Sequence, residues 1–111
     1  MKIVKPYKEL IVLALDQLDE YVPDTKEEYL QSRVLQDAIL LQLLQVGENL
    51  ARIRDISPKT FENAPESWNR VVGLRNLIAH EYRRIDPERI WRYLERDLIE
   101  LRQTVEELED S

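Results

Sequence analysis

The sequence predicts an all-α protein, an antiparallel bundle of four to five helices. Three observations predict it. Only two of the 111 residues are glycine, Gly47 and Gly73, and turn dipeptides are scarce. Leu, Glu, Arg, Gln and Ala, which all favour helix, are abundant. Apolar residues recur at three- and four-residue spacing along most of the chain, and the connections between such stretches are short. The length is that of one domain, residues 1–111, large enough to bury a core. No repeat, low-complexity tract or long linker divides it.

The first helix is expected from Pro6 to about Tyr21. Leu10, Leu13, Ala14, Leu18 and Tyr21 make its apolar stripe, with Pro6 at the start and Pro23 just beyond the end. A second, long helix should begin at an Asp24 or Thr25 cap, with Glu27 and Glu28 in its first turn, and run on through Ile53. Its middle, AILLQLL, is apolar nearly all round. That suits a central core helix, or one packed on both sides by neighbours or a partner subunit. Ser57-Pro58 reads as the cap and first turn of a short piece carrying Phe61, interrupted by Asn63, Ala64 and Pro65. The next helix starts near Glu66 or Ser67, holds Trp68, Val71, Val72, Leu74, Leu77 and Ile78, and ends near Tyr82 to Arg84. Asp86 then caps a last helix with Pro87 at its first position and Ile90, Trp91, Leu94, Leu98, Leu101 and Val105 on its apolar face. The terminal EELEDS should fray. Trp68 and Trp91 read as core aromatics.

Composition removes several function classes. There is no cysteine, hence no disulfide or thiolate metal site, which fits a cytoplasmic location. The N-terminal MKIVKPYKEL lacks the apolar run and cleavage site of a signal peptide. No window nears the ~18 apolar residues of a membrane span, so no membrane partner is expected. With two glycines there is no glycine-rich phosphate loop. The net charge of −6 argues against a dedicated DNA-binding protein. The arginines nevertheless gather between Arg70 and Arg96, at 70, 75, 83, 84, 89, 92 and 96. The acids collect in Asp16 to Glu28 and in the tail. A local anionic ligand is compatible with this, as is a solvated face of mixed charge.

One constellation carries chemistry. The only histidine, His80, lies in the run Arg75-Asn76-Leu77-Ile78-Ala79-His80-Glu81-Tyr82. On an ideal helix Asn76 sits one turn before His80, where its amide would fix the imidazole tautomer. Arg75 and Tyr82 share a face with Ala79. Arg75 and His80, five apart, point about 140° away from each other at 3.6 residues per turn. Their convergence needs the Arg side chain to swing round, a distorted helix end near His80, or a second copy of the motif from another subunit. For RNA cleavage, His80 would exchange a proton with the ribose 2′-hydroxyl or the leaving 5′-oxygen. Arg75 would hold the scissile phosphate and stabilise its transition state. Neither role calls for a metal or a cofactor. The plainer alternatives are a surface or capping histidine and an Arg75 that pairs with Glu48 or Glu81.

This segment resembles the signature of the HEPN superfamily, in its HepT-like branch, written R-N-x-x-x-H-x-Y. Arg75, Asn76, His80 and Tyr82 match it without a gap. Trp68 and Gly73-Leu74 precede the motif as in the family, Ile85-Asp86 through Trp91 and Asp97-Leu98 follow in similar register, and Val46-Gly47-Glu48 resembles an upstream I-G-E element. The resemblance spans roughly residues 30 to 101. It implies a HEPN-like bundle that forms a homodimer with both motifs lining one cleft. It also implies a metal-independent endoribonuclease acting on RNA, as the toxin of a HepT/MntA-type pair, a type VII toxin–antitoxin system. The antitoxin of such a pair is a nucleotidyltransferase that transfers AMP to the motif tyrosine, here Tyr82. Catalysis then falls to Arg75 and His80, with Asn76 and Glu48 supporting. Glu48 has two readings, a structural one (a helix-to-helix hydrogen bond or an ion pair with Arg75) or a direct role in the site. An alternative of another class is a non-catalytic helical subunit that binds a nucleotidyltransferase. A third is a plain helical scaffold in which His80 is incidental.

Overall fold

The computed structural model describes residues 3–108. Among them every regular element is helical: α1 (Lys5–Tyr21), α2 (Lys26–Leu30), α3 (Arg33–Ile56), α4 (Pro58–Glu62), α5 (Glu66–Glu81), α6 (Pro87–Arg96) and α7 (Leu98–Glu106). A 3-10 turn, Tyr82–Arg84, joins α5 to α6. No helix among the described residues is long and apolar enough to cross a membrane. The fraying expected of EELEDS falls partly on residues 109–111, which lie outside the described residues; α7 itself ends at Glu106.

α3 is the axis of the fold and packs against both α1 and α5. Ile39, Leu43, Val46, Leu50 and Ile53 are fully buried along it. They belong to one core with Ile11, Leu15 and Leu18 of α1, Trp68, Val71 and Leu74 of α5, and Ile90 and Leu101 of the last two helices. Trp68 is buried, and its indole N–H donates to Thr104 Oγ1 at 2.8 Å. Trp91 packs on Tyr29 with ring centroids 5.2 Å apart.

Three expectations need correction. The long second helix is two helices, because Ser32 turns extended and caps α3 by accepting the Leu35 N–H at 3.1 Å. Buried Gln36 then donates to the carbonyls of Tyr29 and Leu30, both at 3.1 Å, and so satisfies the end of α2. The last helix is interrupted at Asp97, whose side chain is wholly buried. Its backbone stays helical, with its N–H on Tyr93 O at 2.9 Å and its carbonyl accepting Leu101 N–H at 3.0 Å, so α7 continues α6 after a single residue. The buried face of α1 is Ile11, Ala14, Leu15 and Leu18, whereas Leu10 and Leu13 are about half exposed. Two apolar stripes compete on that helix, and the one facing α3 and α7 wins.

The expected caps are otherwise present at two helix starts. Thr25 accepts the Glu28 N–H at 3.1 Å, and Asp86 accepts the Glu88 N–H at 3.0 Å ahead of Pro87. Ser57 precedes α4, but its hydroxyl pairs with Thr60 Oγ1 at 2.7 Å and makes no cap bond.

The two glycines serve different ends. A Cβ on buried Gly47 would lie 2.8 Å from Arg75 Cβ and 3.0 Å from the Val71 carbonyl oxygen. Only the missing side chain lets α3 and α5 touch there. A Cβ on Gly73 meets no atom within 4 Å. Gly47→Ala is therefore expected to destabilise the chain by about 1–3 kcal/mol, because backbone must move. Gly73→Ala should stabilise it by about 1 kcal/mol through helix propensity. Urea unfolding of both variants checks the opposite signs.

Tyr29 generates a second expectation. Its hydroxyl is buried with no protein partner among the described residues. Burial first, then the charge of Asp86, push the phenol up from 10.0 to about 12. A group whose pKa is raised on folding contributes stability that is intact below its unfolded value and lost as pH rises through the folded one. Stability should thus fall between pH 10.0 and about 12. In Tyr29→Phe this part of the alkaline loss disappears, as thermal melts across that range will show.

Candidate active site at the end of the fifth helix

Arg75 sits directly after the close approach at Gly47. Its Cβ abuts α3, and its side chain is only 25% exposed. Nη1 lies 3.5 Å from Glu48 Oε1, while Nε and Nη2 donate to Asn76 Oδ1 at 3.2 and 3.0 Å. Glu48, rather than Glu81, is the carboxylate beside this guanidinium. The planar donor fork is thereby held from two sides, an arrangement suited to presenting Arg to an anion.

His80 lies in the last turn of α5 and is exposed, with no hydrogen bond or ion pair among the described residues. Asn76 does not orient it here; the Asn76 carbonyl oxygen is taken by the charged Arg75 donors. The imidazole borders an open depression of about 470 Å³ lined by Ala79, His80, Glu81, Tyr82, Arg83 and Arg84. Arg75 does not line this depression. Within one chain its guanidinium is engaged by Glu48 and Asn76, and the imidazole is left open.

Tyr82 is not in the helical register with Arg75 and Ala79. α5 ends at Glu81 (φ −133°, ψ 30°), and Tyr82 opens the 3-10 turn. The turn swings the ring back onto the first turns of α3. The phenol donates to Asp37 Oδ1 at 2.5 Å, and Arg33 Nε lies 3.2 Å from the same oxygen. The Arg33 guanidinium stands 5.7 Å from the ring centroid. The hydrogen bond to Asp37 holds the Tyr82 phenol above its ordinary range.

The arginine-rich segment divides in two. Arg70 donates to buried Asp97 through Nε (3.1 Å) and Nη2 (2.8 Å), and Arg96 joins the same carboxylate at 3.2 and 3.3 Å. The Asp97 bond raises the Arg70 guanidinium above its usual range and ties α5 to the start of α7. These two arginines are structural, whereas Arg83 and Arg84 are exposed beside His80. Sequence reasoning named Asp97 only as part of the family register, not as a buried partner of Arg70, and missed Asp37 and Arg33. Arg33 and Asp37 carry the signal of an i,i+4 ion pair, but nothing in the sequence joins them to a tyrosine 45 positions away.

The fold is thus an all-helical bundle whose fifth helix carries Arg75 and His80, with Tyr82 in the turn that follows. A family model described as Ribonuclease HepT-like matches residues 11–108. The chain belongs to the HepT-like ribonuclease family, within the HEPN superfamily. It is similar to "Putative RNase MJ1380" of Methanocaldococcus jannaschii, 27% identical over 96 residues that cover 83% of this chain and 86% of that protein. It is also similar to "Putative RNase TTE0752" of Caldanaerobacter subterraneus subsp. tengcongensis, 28% identical over 111 residues that cover 97% and 96%. A third relative, "Gamma-glutamylcyclotransferase and putative RNase MJ0434" of M. jannaschii, is 24% identical over 105 residues; these cover 94% of this chain but 46% of that longer protein. No solved structure matches the chain at a significant level.

The Tyr82 environment yields a direct expectation. Asp37→Ala removes both the hydrogen-bond acceptor and its negative charge, so the Tyr82 phenol should titrate lower than in the parent chain. NMR titration of ring-labelled tyrosine measures this. An unchanged Tyr82 curve would separate the two groups in solution.

Proposed function

We propose that residues 1–111 form one cytoplasmic domain that cleaves RNA as a homodimer, with Arg75 and His80 of both copies facing one cleft. The observation that carries this reading is the pairing of a guanidinium braced by Glu48 and Asn76 with an unpartnered imidazole, in a family of ribonucleases. In the reaction the 2′-oxygen attacks phosphorus, the 2′-O–P bond forms and the P–O5′ bond breaks. One imidazole accepts the 2′-hydroxyl proton and the other donates to the leaving oxygen, so one His80 per chain suffices when two chains meet. Arg75 stabilises the extra negative charge on the phosphoryl oxygens. No metal takes part in these steps. Glu48 and Asn76 act through Arg75.

Two further observations support a dimer. Val34 and Leu41 are exposed, 78% and 53%, and repeat at seven-residue spacing with Glu48 along α3, beside the motif. Exposed Leu10 and Leu13 of α1 extend this surface across a groove shared with Gln42 and Gln45. Exposed apolar stripes next to a motif suit a two-fold interface.

In the same reading the chain is a type VII toxin, and its antitoxin is a nucleotidyltransferase that places AMP on Tyr82. The added bulk and negative charge would stand beside His80, Arg83 and Arg84 and repel RNA phosphate.

The purified chain should cut RNA in the presence of chelator. His80→Ala and Arg75→Ala should each lower the rate by about 100-fold or more, with the melting temperature retained. Equal cleavage by all three proteins refutes the mechanism. Absence of cleavage together with tight binding to a nucleotidyltransferase would favour the non-catalytic subunit instead.

A further inference from the structure

We propose that Asp37 is the proton acceptor, and Arg33 the cation that meets the phosphate, when the Tyr82 hydroxyl takes up a nucleotidyl group. The inference rests on the reading of Tyr82 as the modified residue and concerns how that residue is made reactive.

Three groups from two separate elements meet at one oxygen. Tyr82 Oη donates to Asp37 Oδ1 at 2.5 Å, the length of a strong hydrogen bond from a hydroxyl to a carboxylate. Arg33 approaches the same carboxylate at 3.2 Å and lies near the tyrosine ring. All three remain accessible: the Arg33 side chain is 63% exposed, that of Asp37 44%, and Tyr82 39%. A tie between such exposed groups adds little to stability, so holding α5 against α3 is a weak account of it. An accessible nucleophile, a base in contact with its proton and a cation one side chain away form the minimal set for phosphoryl attack.

The chemistry balances with a nucleoside triphosphate as co-reactant. Tyr82 Oη attacks the α-phosphorus. The Oη–P bond forms while the bond from that phosphorus to the pyrophosphate oxygen breaks, and pyrophosphate leaves. The phenolic proton passes to Asp37. A phenol is protonated at neutral pH, and the hydrogen bond to Asp37 raises it further, so proton loss accompanies attack rather than preceding it. Arg33 offsets charge on the phosphoryl oxygens and afterwards pairs with the phosphodiester product.

Tyr21 supplies an internal control. Its hydroxyl donates to the neutral amide oxygen of Gln17 at 2.9 Å, so it has an acceptor but no base. The experiment uses adenosine 5′-phosphorimidazolide, an activated donor that needs no partner enzyme, with adducts located and timed by peptide mass spectrometry. Tyr82 should react faster than Tyr21 in the folded full chain. Asp37→Asn should slow Tyr82 by about 100-fold, Asp37→Glu should recover much of the rate, and Arg33→Ala should slow it less than Asp37→Asn does. Reaction of Tyr82 at the rate of Tyr21, or an Asp37→Asn rate equal to that of the parent, overturns the proposal. The Tyr82 to Tyr21 comparison needs no variant and stands even if Asp37→Asn misfolds. The underlying reading is tested separately with ATP and the cognate nucleotidyltransferase. AMP on a residue other than Tyr82 there would overturn that reading, whatever the imidazolide rates show.

Discussion

At Gly47 the third helix comes so near the fifth that a single methyl group would strike Arg75 Cβ and the Val71 carbonyl. This contact sets the register of α3 against α5. With the Arg75 Cβ pinned against α3, its guanidinium meets the carboxylate one residue beyond the glycine. α3 and α5 run antiparallel from that point, so stepping toward the end of α5 means stepping back along α3. The start of α3, with Arg33 and Asp37, therefore comes to lie under Tyr82. Closely packed helices transmit such a constraint because interiors leave no slack.

A second constraint is the need to satisfy polar groups that packing buries. Asp97 has no exposed side-chain surface, and an unpaired carboxylate there would be costly. Two arginines from different helices converge on it. The same logic divides the predicted second helix, where Gln36 takes up the free carbonyls of a short helix and Ser32 caps the long one. This demand removes Arg70 and Arg96 from the pool of cations open to an anion. In a chain of net charge −6, positive potential is then left to a few local arginines around the end of α5.

The helical class and most helix ends were legible because they rest on local rules: Pro6, Thr25, Pro58, Asp86-Pro87 and three- to four-residue periodicity. The two interruptions, at Gln31–Ser32 and Asp97, were not: Ser32 caps α3 where the apolar periodicity runs on unbroken, and Asp97 interrupts the last helix for a single residue whose backbone stays helical. The burial of the Asp97 side chain was equally hidden, since its partner Arg70 stands 27 positions away. The orientation of α1 was misjudged for a related reason. Leu10 and Leu13 form as good a stripe as Ile11 and Leu15, and only the neighbours decide which is buried. In the site, the pairing of Arg75 with Glu48 was one of two stated options and is the one observed. The expected bond from Asn76 to His80 is absent, and a helix-face argument could not show that the neighbouring Arg75 takes the Asn76 oxygen. The displacement of Tyr82 follows from the 3-10 turn, which ideal helical spacing does not anticipate.

That turn also bears on how Arg75 and His80 meet. A distorted helix end was one route to convergence within a single chain, and a distortion is present. It begins at Glu81, however, after His80, and so redirects Tyr82 instead of the imidazole. A swing of the Arg side chain was another route, but the guanidinium is held by Glu48 and Asn76. In the proposed homodimer the route is the second copy. It is favoured by chemistry as well, since a cleavage that both removes and supplies a proton is served by two imidazoles more simply than by one. In that proposed dimer, Glu48 and Asn76 would hold Arg75 in a geometry that another chain's His80 completes.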